Sequence, residues 1–209
     1  MNFELSAQDY KHSALNYRYI TLNPKLRQGR EIKMSLDSIA LHRRSIRKYD
    51  GRPVTREELE TLIRFAQEAP SWKNQQTSRY HIVTSAEKLA AARQCLRGSN
   101  PKKTENAGAL IVTSFKRDIV GHTHGVPDNE GGNGWGWYDL GLQNAYLLLK
   151  AAELDLDTLV IGIRDADELR ALLQIPEDET IGAVIAVGHR VEDVQRPPRK
   201  ALDDIVRFY

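Results

Sequence analysis

The sequence predicts one mixed domain of the α/β or α+β class, and three observations lead to this prediction. Helical and strand patterns alternate along most of the chain, two helical patterns precede the first strand, and several strands are short. The 209 residues are enough for one large domain or two small ones, but no internal repeat or low-complexity linker divides them. We therefore expect a single domain.

Two capped helices open the predicted fold. Ser35 precedes a helical pattern that ends in a cluster of basic residues. Thr55 and Glu58 have the spacing of a capping box, which predicts the start of a second helix that Pro70 ends. The other elements of this half are a strand over residues 80–84, a helix over residues 86–97 and a strand over residues 109–114.

The second half begins with residues 116–134, which are rich in Gly, His, Asp and Asn and show no clear helical or strand pattern. A structureless connection of this length is unusual in a compact domain unless it covers a site. A strong helix follows over residues 138–153, and its apolar stripe consists of Tyr138, Leu142, Ala145, Leu149 and Ala152. The remaining elements are a strand over residues 158–162, a helix capped by Asp165 and Glu168, a strand over residues 181–188 and an extended tail that ends in a helical turn.

Composition and charge narrow the class of protein. The formal net charge is only +2, which argues against a dedicated nucleic-acid binder because such proteins neutralise many phosphates. No apolar run is long enough for a membrane span, and the N-terminus lacks a signal-peptide pattern. One cysteine, Cys95, excludes an internal disulfide and is expected in the core. We expect a cytoplasmic protein with neither nucleic acid nor membrane as a partner.

The most unusual stretch is the basic segment, residues 42–49, with the sequence H-R-R-S-I-R-K-Y. It gathers Arg43, Arg44, Arg47 and Lys48 in a chain whose total charge is close to zero. Neither a G-x-G-x-x-G loop nor a G-x-x-x-x-G-K-[ST] loop is present, so any bound phosphate must be held by side chains, and arginine forks fit phosphate oxygens. The alternative is a solvated helix end, where cations also suit the helix dipole.

Two further stretches are candidates for binding. The polar segment, residues 69–76 (A-P-S-W-K-N-Q-Q), carries amide and hydroxyl groups that suit the edge of a heterocycle, although an ordinary polar turn would have the same composition. The stretch R-P-P-R-K, residues 196–200, holds basic side chains on a chain stiffened by two prolines, or is simply a solvated linker.

Other chemistry has weaker support. His122, His124 and Asp128 lie close together in the sequence, but nothing supports their spacing as a metal site, and we expect no metal. No G-x-S-x-G motif indicates a serine nucleophile. The tryptophans serve either packing or a ligand pocket, and they are Trp72, Trp135 and Trp137.

Taken in order, these stretches resemble the FMN-dependent nitroreductase family from about residue 36 to the C-terminus. The resemblance rests on R-R-S-I-R-K-Y (43–49), A-P-S-W-K-N-Q-Q (69–76), W-x-x-x-D-L-G-L-Q-N-A-Y-L-L-L-K-A-A (135–152), L-V-I-G (159–162) and the closing strand followed by P-P-R-K. Each motif is weak alone, whereas their order and spacing are fairly specific. The stretch L-D-L-D-T, residues 154–158, departs from the glycines common in the family, so we expect a changed turn there.

The resemblance implies an α+β fold with a central, mostly antiparallel sheet surrounded by helices. It also implies a domain-exchanged homodimer, because the family builds each site from two chains and passes a C-terminal segment onto the partner. The expected organisation is an N-terminal extension over residues 1–34 and an FMN-binding domain over residues 35–209.

The resemblance also assigns cofactor contacts to particular residues. The family segment that holds the FMN phosphate and the pyrimidine side of the ring corresponds here to Arg43, Arg44, Ser45 and Arg47. The C-terminal basic group on the phosphate corresponds to Arg199, with help from Lys200. The loop that reaches the flavin of the other subunit in the family corresponds here to Pro70, Ser71, Trp72 and Asn74. A contact to the ribityl chain or ring corresponds to Gln76, and the backbone positions near flavin N5 correspond to Ile161 and Gly162.

The implied activity is a ping-pong oxidoreductase in which hydride passes from NAD(P)H through flavin N5 to a nitro compound, a quinone or a similar small acceptor. No catalytic acid or base is expected, and Arg47 is the candidate for electrostatic support of the reduced ring. Alternatives are reductive dehalogenation or flavin fragmentation on the same fold, a non-catalytic FMN-binding protein, and a colourless module that binds RNA or another phosphate ligand.

Overall fold

The computed structural model of the protein describes residues 35–209, and the predicted N-terminal extension, residues 1–34, lies outside the described residues. The helices are α1 (Leu36–His42), α2 (Arg56–Gln67), α3 (Ala86–Gln94), α4 (Asn100–Lys103), α5 (Gly134–Glu153) and α6 (Ala166–Leu173). The strands are β1 (Ser78–Val83), β2 (Ala109–Lys116), β3 (His122–Thr123), β4 (Val126–Pro127), β5 (Asp157–Ile161) and β6 (Glu179–Gly188). No helix within residues 35–209 is long and apolar enough to cross a bilayer.

A four-stranded sheet with the order β1-β2-β6-β5 forms the centre of the described unit. Every neighbouring pair in it is antiparallel. Because the helices flank this sheet and do not connect parallel strands, the predicted α+β class with a mostly antiparallel sheet is confirmed.

The sheet is buried on both faces, and the alternation of side chains along its central strands explains the two cores. Leu110 and Val112 of β2 pack on one face with residues of α3 and α6. Ala109 and Ile111 point to the other face and pack with residues of α2 and α5. A strand covered on both faces needs a continuous apolar run, which is what A-L-I-V provides. Cys95 is buried in the first core, as expected.

The predicted helix starts are confirmed where local capping determines them. Ser35 caps α1, and Thr55 and Glu58 form the complete capping box of α2. By contrast, α3 ends at Gln94, three residues before the predicted end, and the short α4 that follows was not predicted. The changed turn expected after α5 stays a prediction; Asp155 adopts a left-handed conformation there, with φ of 57°, which glycine would adopt at no steric cost.

Helix α5 begins at Gly134, four residues before its predicted start, and its buried side combines apolar residues such as Leu140 and Leu147 with polar ones. Tyr138 and Ala145 of the apolar stripe are exposed, whereas Asp139 and Gln143 are buried. The buried polar groups have partners: the Tyr80 hydroxyl lies 3.2 Å from Gln143 Oε1. The predicted stripe therefore does not coincide with the buried side of α5, because Tyr138 and Ala145 lie on the outside of the described unit whereas Ala152 is buried.

The prediction of a structureless loop over residues 116–134 is wrong in part. Strands β3 and β4 pair as a small hairpin inside it, and the chain reverses at His124 and Gly125, whose φ angles are 51° and 77°. Two-residue strands are too short to give a recognisable alternation, so the sequence pattern did not reveal them.

Candidate functional site

The basic segment follows the end of α1 and runs along the free edge of β5. Ser45 forms a parallel bridge with Thr158, and the Ile46 N–H donates to the Thr158 carbonyl at 3.0 Å. Ile46 and Tyr49 are only 1% and 2% exposed, so they anchor the segment in the core while the residues between them stay at the surface. The anchors therefore fix where the cationic side chains emerge.

The tail, residues 189–200, returns alongside the basic segment. The Asp50 N–H donates to the His189 carbonyl at 3.0 Å, and Tyr49 forms an antiparallel bridge with Arg190. Farther along the tail, Arg44 Nε donates to the Val194 carbonyl at 3.2 Å. These bonds join the basic segment to the tail, although Arg44 and Val194 are 150 residues apart in the sequence.

A pocket of about 120 Å³, here called the arginine pocket, opens between the basic segment and the tail. Its lining consists of Arg43, Arg44, Ser45, Arg47, Val194, Gln195, Arg196, Pro197 and Arg199. The structure thus brings Arg199 together with the four candidates of the basic segment. Lys200 is exposed and does not line the pocket. Four tail residues of the lining were missed, although Arg196 belongs to the R-P-P-R-K stretch that signalled this site.

The positive charge in the arginine pocket is not balanced by carboxylates. Within residues 35–209 no acidic side chain forms an ion pair with Arg43, Arg44, Arg47 or Arg199, whereas the neighbouring Lys48 binds Glu192 at 2.7 Å. Burial lowers the pKa of Arg43, and the nearby charges of Arg199 and Arg44 lower it further. Since these effects all disfavour the charged guanidinium, an anion in the pocket would relieve them.

The arginines of the pocket differ in how their donors are used. Arg44 donates to the carbonyls of Leu41, Arg43 and Val194, so it ties the end of α1 to the tail. The Arg43 guanidinium makes no hydrogen bond within the described part of the chain. Its whole fork is available to a ligand, and a planar fork matches two oxygens of a phosphate or carboxylate.

The polar segment has an unusual backbone. Lys73, Asn74 and Gln76 have φ angles of 47°, 56° and 50°, which is the left-handed region that side chains other than glycine rarely adopt. Such conformations persist only where the surroundings hold them, and they concentrate at ligand sites.

Two hydrogen bonds hold the polar segment in place. The Trp72 N–H donates to Asp139 Oδ2 at 2.9 Å, and the Gln76 N–H donates to Ser71 Oγ at 3.1 Å. Asp139 comes from the inner face of α5 and is only 3% exposed. Burial raises its pKa, and the Trp72 N–H acts in the opposite direction. Asp139 was not recognised from the sequence, because its partner is 67 positions away.

Aromatic contacts join the polar segment to the start of α5, and an ion pair joins it to residues 116–134. The rings of Trp72 and Trp135 are 4.7 Å apart, and those of Trp135 and Tyr138 are 5.8 Å apart. Lys73 Nζ lies 3.5 Å from a carboxylate oxygen of Asp128. Residues 116–134 and the polar segment therefore form one connected surface.

The other candidates take different positions. Trp137 packs edge-on against Phe115, with 5.4 Å between the ring centroids. No three His, Cys, Asp or Glu side chains come together in a metal-binding arrangement anywhere in the described range, 35–209. His122 instead places Nδ1 2.9 Å from the Val120 carbonyl.

A single chain does not bring all the candidate residues together. The candidates that do not line the arginine pocket are Pro70, Ser71, Trp72, Asn74, Gln76, Ile161, Gly162 and Lys200. Ile161 is buried in the core at the end of β5, and Gly162 is exposed beside it. The described unit thus carries the arginine pocket and a polar, aromatic surface as separate features.

The described residues form an α+β unit with an arginine-lined pocket, and comparison with known proteins identifies its family. The model of the nitroreductase family matches residues 40–189, and the chain belongs to this family. It is 23% identical over 189 residues to a protein of Polynucleobacter asymbioticus named "Putative NADH dehydrogenase/NAD(P)H nitroreductase", covering 84% of this chain and 96% of that one.

Solved structures agree with this assignment. A nitroreductase family protein from Streptococcus pneumoniae superposes with a TM-score of 0.75 at 19% identity, covering 84% of this chain and all of that one. An FMN-dependent nitroreductase from Clostridium difficile gives a TM-score of 0.65 at 27% identity, covering 81% of this chain and 96% of that one.

The buried Asp139 carboxyl generates a pH-dependent prediction. Its folded-state pKa is raised above 3.8, so its contribution to stability is fully present at lower pH and is lost as the pH rises through the folded-state pKa. Asp139→Asn keeps an oxygen for the Trp72 N–H and removes the charge. We expect a higher free energy of unfolding than wild type at neutral pH, and the difference should shrink as the pH falls towards about 4.

Urea unfolding of the flavin-free protein at several pH values measures this difference. Asp178→Asn is the control of opposite sign, because a hydrogen bond from Lys116 lowers the pKa of that exposed carboxyl. It should lower stability at neutral pH. An Asp139→Asn variant that is less stable than wild type at neutral pH, by an amount independent of pH, would contradict the prediction.

Proposed function

We propose that this protein is an FMN-dependent oxidoreductase that passes hydride from NAD(P)H to a nitro compound, a quinone or a similar small acceptor in a ping-pong cycle. The observation that carries the proposal is the positive charge of the arginine pocket, with which no carboxylate of residues 35–209 forms an ion pair, in a chain of the nitroreductase family. The FMN-dependent relative from Clostridium difficile supports the cofactor. The name of the Polynucleobacter relative supports NAD(P)H as the reductant.

The residues of the pocket fit the phosphate end of FMN. A phosphate monoester carries a charge of about −1.5 to −2 at neutral pH and three acceptor oxygens. Arg43 offers a guanidinium without other hydrogen bonds, Arg199 faces it with like charge, and Ser45 adds an exposed hydroxyl. A dianion between the two arginines would convert their repulsion into two attractive contacts.

The other candidates suit the ring system. Asn74 and Gln76 carry amides that both donate and accept, as a flavin edge requires, and left-handed backbone holds both in place. Arg47 lies in the same pocket as the phosphate ligands and would add fixed positive charge beside the pyrimidine edge. Ile161 and Gly162 would present backbone groups to the ring.

Bound FMN would supply hydride transfer through N5. The protein would bind and orient the flavin and would enclose the site. The paired rings of Trp72 and Trp135 would form an aromatic wall of the acceptor site. Residues 116–134, which contain the β3–β4 hairpin, would cover this wall, because the contact between Lys73 and Asp128 joins them to the polar segment. No side chain is assigned as a catalytic acid or base.

The complete site would be formed by a domain-exchanged homodimer. In one chain the polar segment does not line the arginine pocket, and Tyr138 and Ala145 of the predicted apolar stripe of α5 are exposed. The C-terminal arm, residues 201–209, is exposed and apolar: Leu202, Ile205 and Phe208 are 64%, 67% and 91% exposed. A second copy would cover the stripe and the arm and would deliver its polar segment to this pocket.

The absorption spectrum of the purified protein tests the function directly. We expect a flavin spectrum that NADPH or NADH bleaches without oxygen and that a nitroaromatic or quinone restores. A yellow protein that neither nucleotide reduces would indicate a non-catalytic FMN-binding protein. A protein that remains colourless after incubation with FMN would overturn the proposal.

The phosphate assignment is tested on the same spectrum by Arg43→Ala together with Arg199→Ala. Losing two charge-assisted contacts should weaken FMN binding about 100-fold or more, so dialysis should remove the colour. Arg56→Ala with Arg64→Ala removes the same charge from exposed positions on α2 and should leave the protein yellow. The assignment is wrong if the pocket variant stays fully yellow.

The homodimer proposal predicts that the C-terminal arm stabilises the assembly. Ile205→Asp with Phe208→Asp should shift the protein from dimer to monomer in analytical ultracentrifugation, because a charge at either position cannot be buried without a partner. Arg207→Asp changes an exposed polar position of the same arm and serves as the control. A wild-type protein that sediments as a monomer at high concentration would rule the homodimer out.

A further inference from the structure

A buried ion pair lies beside the arginine pocket without lining it. Asp157, the first residue of β5, is only 6% exposed, and its carboxylate receives three kinds of donor from one residue. The Arg190 backbone N–H donates to Oδ2 at 2.8 Å, Nε donates to Oδ1 at 2.9 Å, and Nη2 also donates to Oδ1. Backbone and side chain of Arg190 are thus both fixed by one carboxylate.

This pair lies where β5, the end of β6 and the basic segment meet. Asp157 is paired with Gly188 across the sheet, and Arg190 is the second residue after β6 ends. Arg190 also bridges Tyr49 of the basic segment. Gly188 allows a close approach here, because an added Cβ would lie 2.8 Å from Tyr49 Cδ1. The pair therefore sets the direction in which the tail leaves the sheet.

Beyond Arg190 the attachments of the tail to the basic segment are weaker. The Val191 N–H donates to the Lys48 carbonyl at 3.4 Å, and the Lys48–Glu192 pair is exposed on both sides. Exposed ion pairs of this kind contribute little to stability, whereas a buried and fully hydrogen-bonded pair is costly to break. The Arg44 bond to the Val194 carbonyl also holds the tail, but Asp157 makes the most deeply buried attachment of a tail that must carry Arg199 towards Arg43 against like-charge repulsion.

We propose that Asp157 and Arg190 are positioning residues of the arginine pocket, which hold the tail so that Arg199 and Arg43 converge on one phosphate group. The inference rests on the proposed function, since it explains how this chain recognises the phosphate of FMN. It adds a specific consequence: the pair controls the preference for the phosphorylated flavin over riboflavin and does not affect affinity for the ring.

A purely structural role predicts a different result. If the pair only stabilised the fold, its loss would lower the folded fraction and weaken FMN and riboflavin binding by the same factor. A positioning role changes the ratio of the two affinities, because the tail arginine meets only the phosphate. The ratio therefore separates the two roles even in a destabilised variant.

The experiment measures dissociation constants of FMN, riboflavin and inorganic phosphate for flavin-free protein by titration calorimetry. For Asp157→Asn we expect FMN and phosphate to bind roughly tenfold more weakly, which corresponds to about 1.4 kcal/mol, with riboflavin affinity unchanged. Arg190→Lys keeps the charge but loses the fork, so it should lie between this variant and wild type. It also serves as the test variant if Asp157→Asn does not fold.

Glu192→Gln is the matched control, because it removes an ion pair between the same two segments that is exposed instead of buried. It should leave all three affinities unchanged. The inference is overturned if the Asp157 or Arg190 variants weaken FMN and riboflavin equally, or if they bind FMN and phosphate as wild type does.

The outcomes distinguish this inference from the proposed function. A wild-type protein that binds inorganic phosphate but not FMN would overturn the function, and the phosphate affinities of the variants would still decide the positioning role. A wild-type protein that binds neither FMN nor phosphate would overturn both.

Discussion

Repulsion between like charges is the constraint on which the site depends. Arg43 and Arg199 come from distant parts of the chain and line one pocket, and no carboxylate of residues 35–209 forms an ion pair with either. Burial lowers the pKa of Arg43, and the nearby charges of Arg199 and Arg44 lower it further. Such a repulsion amounts to about 1 to 4 kcal/mol at close range, depending on the effective dielectric constant. Burial of Ile46 and Tyr49 contributes about 1.5 to 3 kcal/mol each, so the apolar anchors outweigh it. The stored repulsion then favours an anionic ligand.

The polar segment is also held in an unfavourable state, but there the cost lies in backbone conformation and not in charge repulsion. Left-handed conformations at Lys73, Asn74 and Gln76 each cost on the order of 1 to 3 kcal/mol. The Asp139 carboxylate and the Trp72–Trp135 contact hold them, and both come from the first turns of α5. The rigid helix thus supports a segment whose sequence alone would not maintain this shape.

The sequence predicted what short-range chemistry determines. Caps at Ser35 and Thr55, the basic segment at the end of α1 and the mixed fold class follow from local patterns. The convergence of Arg199 on Arg43 came from a family resemblance, since nothing local links residues so far apart. Asp139 and Asp157 were missed because a carboxylate acquires its role from distant partners, Trp72 and Arg190. Periodicity predicted the apolar stripe of α5 but not the side of the helix that faces the protein.

The exposed residues of α5, Tyr138 and Ala145, have a genetic consequence if two copies of the chain meet there. Each site would then combine an arginine pocket from one copy with a polar segment from the other. A chain damaged in the pocket and a chain damaged in the polar segment, expressed in one cell, would assemble mixed pairs. In each mixed pair both lesions would fall in the same site, the opposite site would be intact, and two inactive alleles would restore activity to each other.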